Sequence, residues 1–348
     1  MPFLRTEKPK EQYPRTITLS GGHVSEWQAR MRLFESFQRL YQAHSKTSNG
    51  LNATMFAVIM IAPLSQMRQM LEDIRHYNPN RDGPSNPVKL LLYAMYTAPE
   101  AVRSCIPNRR QAMSTTSTRN QPSQLSMTPA SPSTYLRGNI PSTLEKRRQQ
   151  EVCLFTVSRD AEKADIFPLC TTIGDAFQPL DALLQCFWGE NIRNRWATCV
   201  TDPSIIKSPR NSLSMNRQLH FWWDNAAFAL KPLSESETAI VVQWHWLQDS
   251  CLSPRMMIPP NAEYTKYVSR HVGDSWGSLK HAFGKTLQTG QVLTIRVEDA
   301  SRLPCFELLE LQWDLLRVAA ISGAGNFQAF DPFYDAEELD SFASSDER

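Results

Sequence analysis

The chain has 348 residues, 41% of them hydrophobic and nine of them tryptophan, which is ample for a buried core and long enough for two domains or one large domain with an extension. Thirty-seven basic residues against 35 acidic ones leave a formal charge of +2, so no global field advertises nucleic-acid or membrane-surface binding. The seven cysteines are odd in number and lack any C-x-x-C spacing, which points to reduced thiols and excludes both a disulfide framework and a zinc knuckle of the usual spacing. The first residues, Met1 to Lys10, carry no apolar h-region. The most apolar run, Met55 to Leu64, is interrupted by Pro63 and falls short of the ~20 residues a spanning helix needs. The expected protein is intracellular, in cytoplasm or nucleus, with no membrane segment.

In chain order, Thr16 to Leu19 read as an entry strand ahead of the turn at Gly21 and Gly22. Trp27, Met31, Phe34, Phe37, Leu40 and Tyr41 recur with helical period over Ser25 to His44. A second helical run covers Asn52 to Tyr77 with a break at Pro63, and a third covers Val88 to Ile106. Residues 1–106 thus form a helical N-terminal region. Residues 107–144 are rich in Ser, Thr, Pro, Gln and Asn, and this composition predicts a low-complexity linker whose arginines make a diffuse basic tract. Beyond it, strands are expected at Val152 to Thr156 and Ala164 to Pro168, with a turn between them. A helix is expected from Asp181 to Thr201, and further strands at Thr238 to Leu247 and Gly290 to Val297. Residues 251–288 show no clear pattern. Pro304 to Ile321 is a helix with Gly323 as its stop, and residues 326–348 are an acidic tail. The fold class is α+β.

The stretch from Asn211 to Asp224 draws attention because Asn216, His220 and Asp224 recur at steps of four, which stacks them on one face of a helix. Ser214 is the expected N-cap, with Leu213, Leu219 and Trp222 lining the opposite face. By itself this pattern fits an amphipathic helix with a solvated polar face equally well.

A wider order of motifs adds to it. Cys153 and Thr156, then Ala164, Asp165, Ile166 and Pro168, then Asn211 and Leu213, then Leu219, His220, Trp223 and Asp224 follow one another. This order resembles the fungal branch of the HNH nuclease family, with its pattern C-x-x-T-G, A-H-I-x-P, N-x-L-x-L and L-H-x-x-[FW]-D. The resemblance spans residues 145–325. It implies a ββα-metal core in which a divalent ion, usually Mg2+, sits between a hairpin and a helix and stabilises charge on a scissile phosphate. By the same resemblance His220 is a metal ligand and Asn211 orients the base or its loop. Asp165 stands where the family has its general-base histidine, and Val157 where it has glycine. A carboxylate of ordinary pKa ~3.9 is a weak base at neutral pH, so Asp165 must be raised by burial or must ligate the metal as a hard oxygen donor. His245, His271 and His281 are candidate substitutes, His245 lying on an apolar strand between two tryptophans.

Three functions follow from the resemblance: a metal-dependent nuclease of altered activity, a catalytically dead HNH fold that binds nucleic acid or another partner, and an accessory protein of a fungal specialised-metabolite pathway. The oligomeric state is not readable from the sequence.

Overall fold

The structure, a computed structural model, describes residues 24–44, 50–77, 86–106, 152–156, 158–159, 161–169, 177–247, 250, 252–259 and 286–325. The entry strand, the linker at 107–144, the acidic tail, His271 and His281 lie outside the described residues.

Four helices open the described chain: α1 (Val24–His44), α2 (Ala53–Ile61), α3 (Leu64–His76) and α4 (Pro87–Ser104). Pro63 divides α2 from α3 at the expected break, because a proline in the helix interior would remove a backbone donor. Asn52 Oδ1 caps α2 by accepting from Met55 N at 2.9 Å, and Asn86 Oδ1 caps α4 by accepting from Val88 N at 2.9 Å. Helix α2 is buried from Ala53 to Met60, so it has no solvated face. Just before it, β1 (Leu51–Asn52) pairs antiparallel with β6 (Met257–Ile258).

Where one helix is expected over 181–201, the chain forms two, α5 (Gln178–Phe187) and α6 (Glu190–Thr201). The break falls at Gly189, whose φ of +85° lies in the left-handed region that glycine enters without strain. A short helical turn, α7 (Pro203–Ile206), follows under an Asp202 cap.

Strands β2 (Ala161–Asp165) and β3 (Ser212–Asn216) form an antiparallel pair, and helix α8 (Arg217–Asp224) follows β3 directly. A separate antiparallel sheet has the order β4 (Phe228–Ser236), β5 (Ala239–Trp246), β7 (Val292–Arg296). Strand β4 is unexpected from sequence because it contains Pro232. It lies at the sheet edge with an irregularity between Pro232 and Ser234, which is where a residue lacking an N–H is tolerated.

The last helix, α9 (Phe306–Ser322), packs on both β4 and α2, while α4 packs on α5. Buried side chains from Phe34, Val58, Leu183, Trp244 and Leu315 therefore belong to one continuous apolar cluster. Phe228 stacks on Trp244 with centroids 4.0 Å apart and Trp223 of α8 lies 5.5 Å from Phe228, so the short helix is anchored to this cluster. Among the described residues no helix is long and apolar enough to cross a membrane.

Gly323 ends α9 at a φ of +77°, and a Cβ there would lie 1.8 Å from the Leu252 carbonyl oxygen. Gly323→Ala is therefore expected to lower stability by about 1–3 kcal/mol, read as a reduced midpoint in urea or thermal unfolding.

Candidate functional site

The site is built where β2 leaves the two-stranded ladder and β3 returns to it. Residues 212–216 alternate in burial, with Leu213 and Met215 inward, so this stretch pairs with β2 as a strand. The expected helix over Asn211 to Asp224 is thereby shortened to α8, and two assignments change. Ser214 is a strand residue whose Oγ donates to Val152 O at 2.8 Å, not an N-cap. Asn216 is the cap: its Oδ1 accepts from Leu219 N at 2.8 Å while its Nδ2 donates to Thr156 Oγ1 at 3.1 Å.

Cys153 to Thr156, expected as a strand, is a turn in which Cys153 N donates to Ser158 O at 2.9 Å and Thr156 N reaches Cys153 Sγ at 3.4 Å. Leu154 N then donates to Ser214 O at 2.8 Å, so the turn docks against β3.

Asn211 is 1% exposed and wholly engaged with backbone. Its Oδ1 accepts from Phe167 N at 2.8 Å, and its Nδ2 donates to Phe167 O at 2.8 Å and Ile206 O at 3.0 Å. Ile166 N adds a bond to the Asn211 carbonyl at 3.0 Å. The ladder therefore stops at Asp165, three residues short of the expected Pro168. Asn211 is placed to hold the chain just after Asp165, and no part of it is free to touch a substrate.

His220 projects from α8 toward β2. Its Nδ1 lies 2.9 Å from Glu162 Oε2, and its Nε2 lies 3.6 Å from Asp224 Oδ1 one turn along the helix. His220 and Asp224 do share a helix face, as their spacing predicts. Strand alternation explains the other partner: Glu162 and the buried Ala164 lie on one face of β2, Lys163 and Asp165 on the opposite one.

Asp165 consequently pairs with Lys163, Oδ1 to Nζ at 3.9 Å, and not with His220. Its backbone oxygen accepts from Trp223 Nε1 at 3.1 Å, which fixes the strand end to the helix. Burial pushes the Asp165 carboxyl above the usual carboxylate range, with the charges of Lys163 and His220 pulling it partly back.

The structure thus places Asp165 and Asn211 at one end of β2 and seats His220 against Glu162 near the other, with Glu162 and Asp224 as the carboxylates at the imidazole. Glu162 is the residue that the sequence reading missed. A strand started three residues earlier would have set it two positions before Ala164, on the inward face.

His245 plays no part in this cluster. It is 2% exposed, lies 4.8 Å from the Trp313 ring and meets Gln243 Oε1 through Nε2 at 2.9 Å. Burial lowers its pKa from 6.5 to about 3. An open groove of about 1080 Å³ lies elsewhere, between Gln66, Asp73, Lys89, Tyr93 and Glu190, and includes none of the site residues.

No protein-family model matches the chain, and neither a curated protein nor a solved structure matches it.

Removing the Asn211 side chain strands two buried carbonyls and one buried N–H. Asn211→Ala should cost about 2–4 kcal/mol, measured by denaturant unfolding. His245 gives a pH signature. Between pH 6.5 and about 3 the unfolded chain takes up a proton that the folded chain refuses, so stability falls as pH drops through that window. His245→Phe should flatten the slope of unfolding free energy against pH there, and an unchanged slope would show that His245 is not its source.

Proposed function

We propose that the chain is an HNH-nuclease-like protein in which β2, β3 and α8 form a ββα-metal unit acting on nucleic-acid phosphodiester bonds. The observation that carries this reading is the seating of His220, from the helix, directly against the acidic side chain of Glu162 on the facing strand. Asn211 supports it by holding the segment after Asp165 through both its amide groups, the orienting duty expected of that position.

One nitrogen of the imidazole and the facing Glu162 carboxylate are donors for a divalent cation such as Mg2+, whereas Asp224 meets the other ring nitrogen and Asp165 lies on the opposite face of β2. A bound cation would supply charge stabilisation for a phosphate and its leaving oxygen. Asp165 occupies the general-base position, and its raised carboxyl pKa moves it toward useful basicity at neutral pH. Lys163 opposes that shift. Carboxylate chemistry at this position makes cleavage slow compared with an imidazole base.

A second reading is favoured by the other face of the same geometry. Both ring nitrogens of His220 are turned to carboxylates, and Asp165 looks to the opposite side of β2. That arrangement suits a unit that keeps its architecture as a binding module without cleaving.

Supercoiled plasmid incubated with purified protein and Mg2+ or Mn2+ separates the two. Cleavage predicts metal-dependent nicking that His220→Ala brings to background and that Asp165→His raises on the order of 100-fold. Nicking unchanged by His220→Ala overturns the cleavage reading. Salt-sensitive retention of DNA without product supports the binding module.

A further inference from the structure

A second cluster of chemistry-bearing side chains stands apart from His220. Cys199 lies in the last turn of α6, Cys305 is the N-cap residue of α9, and Glu307 lies in the first turn of α9. One ligand atom from each falls within 4.8 Å of the others, and among the described residues this is the only group of three or more such side chains to converge so closely. Cys305 is fully buried and Cys199 is 8% exposed. Cys305 Sγ lies 3.3 Å from Glu307 Oε2.

We propose that Cys199, Cys305 and Glu307 form a binding site for a borderline-soft divalent metal ion, Zn2+ in its chemistry, that is independent of the His220 cluster. Two thiolates and a carboxylate are a donor set that suits Zn2+ and disfavours Mg2+, a hard cation that thiolates do not hold. With Zn–S bonds of about 2.3 Å and a Zn–O bond of about 2.0 Å, tetrahedral ligation separates two sulfurs by about 3.8 Å and a sulfur from an oxygen by about 3.5 Å. The Cys305 to Glu307 separation of 3.3 Å is within a few tenths of that value, and the 4.8 Å limit on the whole group leaves little movement for closure. Three protein ligands leave a fourth position for water or another donor.

Cys305 sits at a helix N-terminus, whose dipole favours an anionic sulfur.

Occupancy would join the end of α6 to the start of α9. Because Cys305 N donates to Arg210 O at 2.8 Å, the same joint reaches the turn that carries Asn211. The site is a staple behind the β2–β3 junction.

The test uses the reduced full-length protein loaded with Co2+ as a spectroscopic stand-in for Zn2+. The expected result is one equivalent bound with thiolate-to-cobalt charge-transfer absorption of two Co–S bonds, bleached by added Zn2+. Cys199→Ser and Cys305→Ser should each remove about half of that absorption or all of it, and Glu307→Gln should keep it while weakening Co2+ binding more than about tenfold. His220→Ala should leave the band intact, so that failure at one cluster is not mistaken for failure at the other. A folded wild-type protein without a charge-transfer band overturns the proposal, and so does a band that survives both serine substitutions. The wild-type spectrum by itself decides the matter if a serine variant does not fold.

Discussion

A two-stranded antiparallel ladder interrupted by a long excursion is a weak unit, because each strand has a single neighbour to fix its register. Residues 166–211 separate β2 from β3, and Asn211 closes that excursion by gripping both the N–H and the carbonyl of Phe167. At the other end Asn216 ties the last residue of β3 both to Leu219 and to Thr156. Two asparagines thus pin the ladder at its two ends. Everything said of Glu162, Asp165 and His220 depends on that register, since a slip of one residue would exchange the faces of β2 and turn Lys163 toward the imidazole.

The helices of the chain were largely legible in its sequence, because apolar periodicity and proline or glycine punctuation act locally. Pro63 and Gly323 end or divide helices where they are expected. Gly189 escaped notice because its neighbours, Phe187, Trp188 and Ile192, continue an apolar pattern across the break. The short strands were less legible. Ser212 to Asn216 has four-residue polar spacing when joined to α8, yet pairing with β2 selects the two-residue period for that half. Pro232 hid β4, since a proline is compatible with a strand only at an edge, and edges are a property of the assembled sheet.

The candidate site divides in the same way. His220, Asp224 and Asn211 were visible as residue types at helical or motif spacing. Glu162 was not, because its relevance comes from which face of β2 it occupies. Cys199 and Cys305 lie far apart along the chain, and no spacing rule links them; their meeting is made by packing of α6 against α9. A half-buried acid elsewhere, Asp314, shows the same dependence on assembly. Asp314 accepts from Trp188 Nε1 at 2.7 Å and pairs with Arg317, which in turn lies over Trp313. Burial raises the Asp314 pKa while Arg317 and Trp188 oppose it, so loss of either partner leaves a carboxylate poorly compensated.

The fully buried helix α2 has a bearing on how this molecule can be dissected. It contributes no polar surface and lies against α9, whose other flank supports β4 and, through Trp223 and Phe228, the short helix bearing His220. A fragment cut to residues 145–325 on grounds of motif and composition would carry α9 with that flank bared to water. It would be prone to self-association through the exposed seam, and a poor proxy for the intact chain. The change in composition at the linker marks a division in the amino-acid text, whereas the apolar interior runs across it.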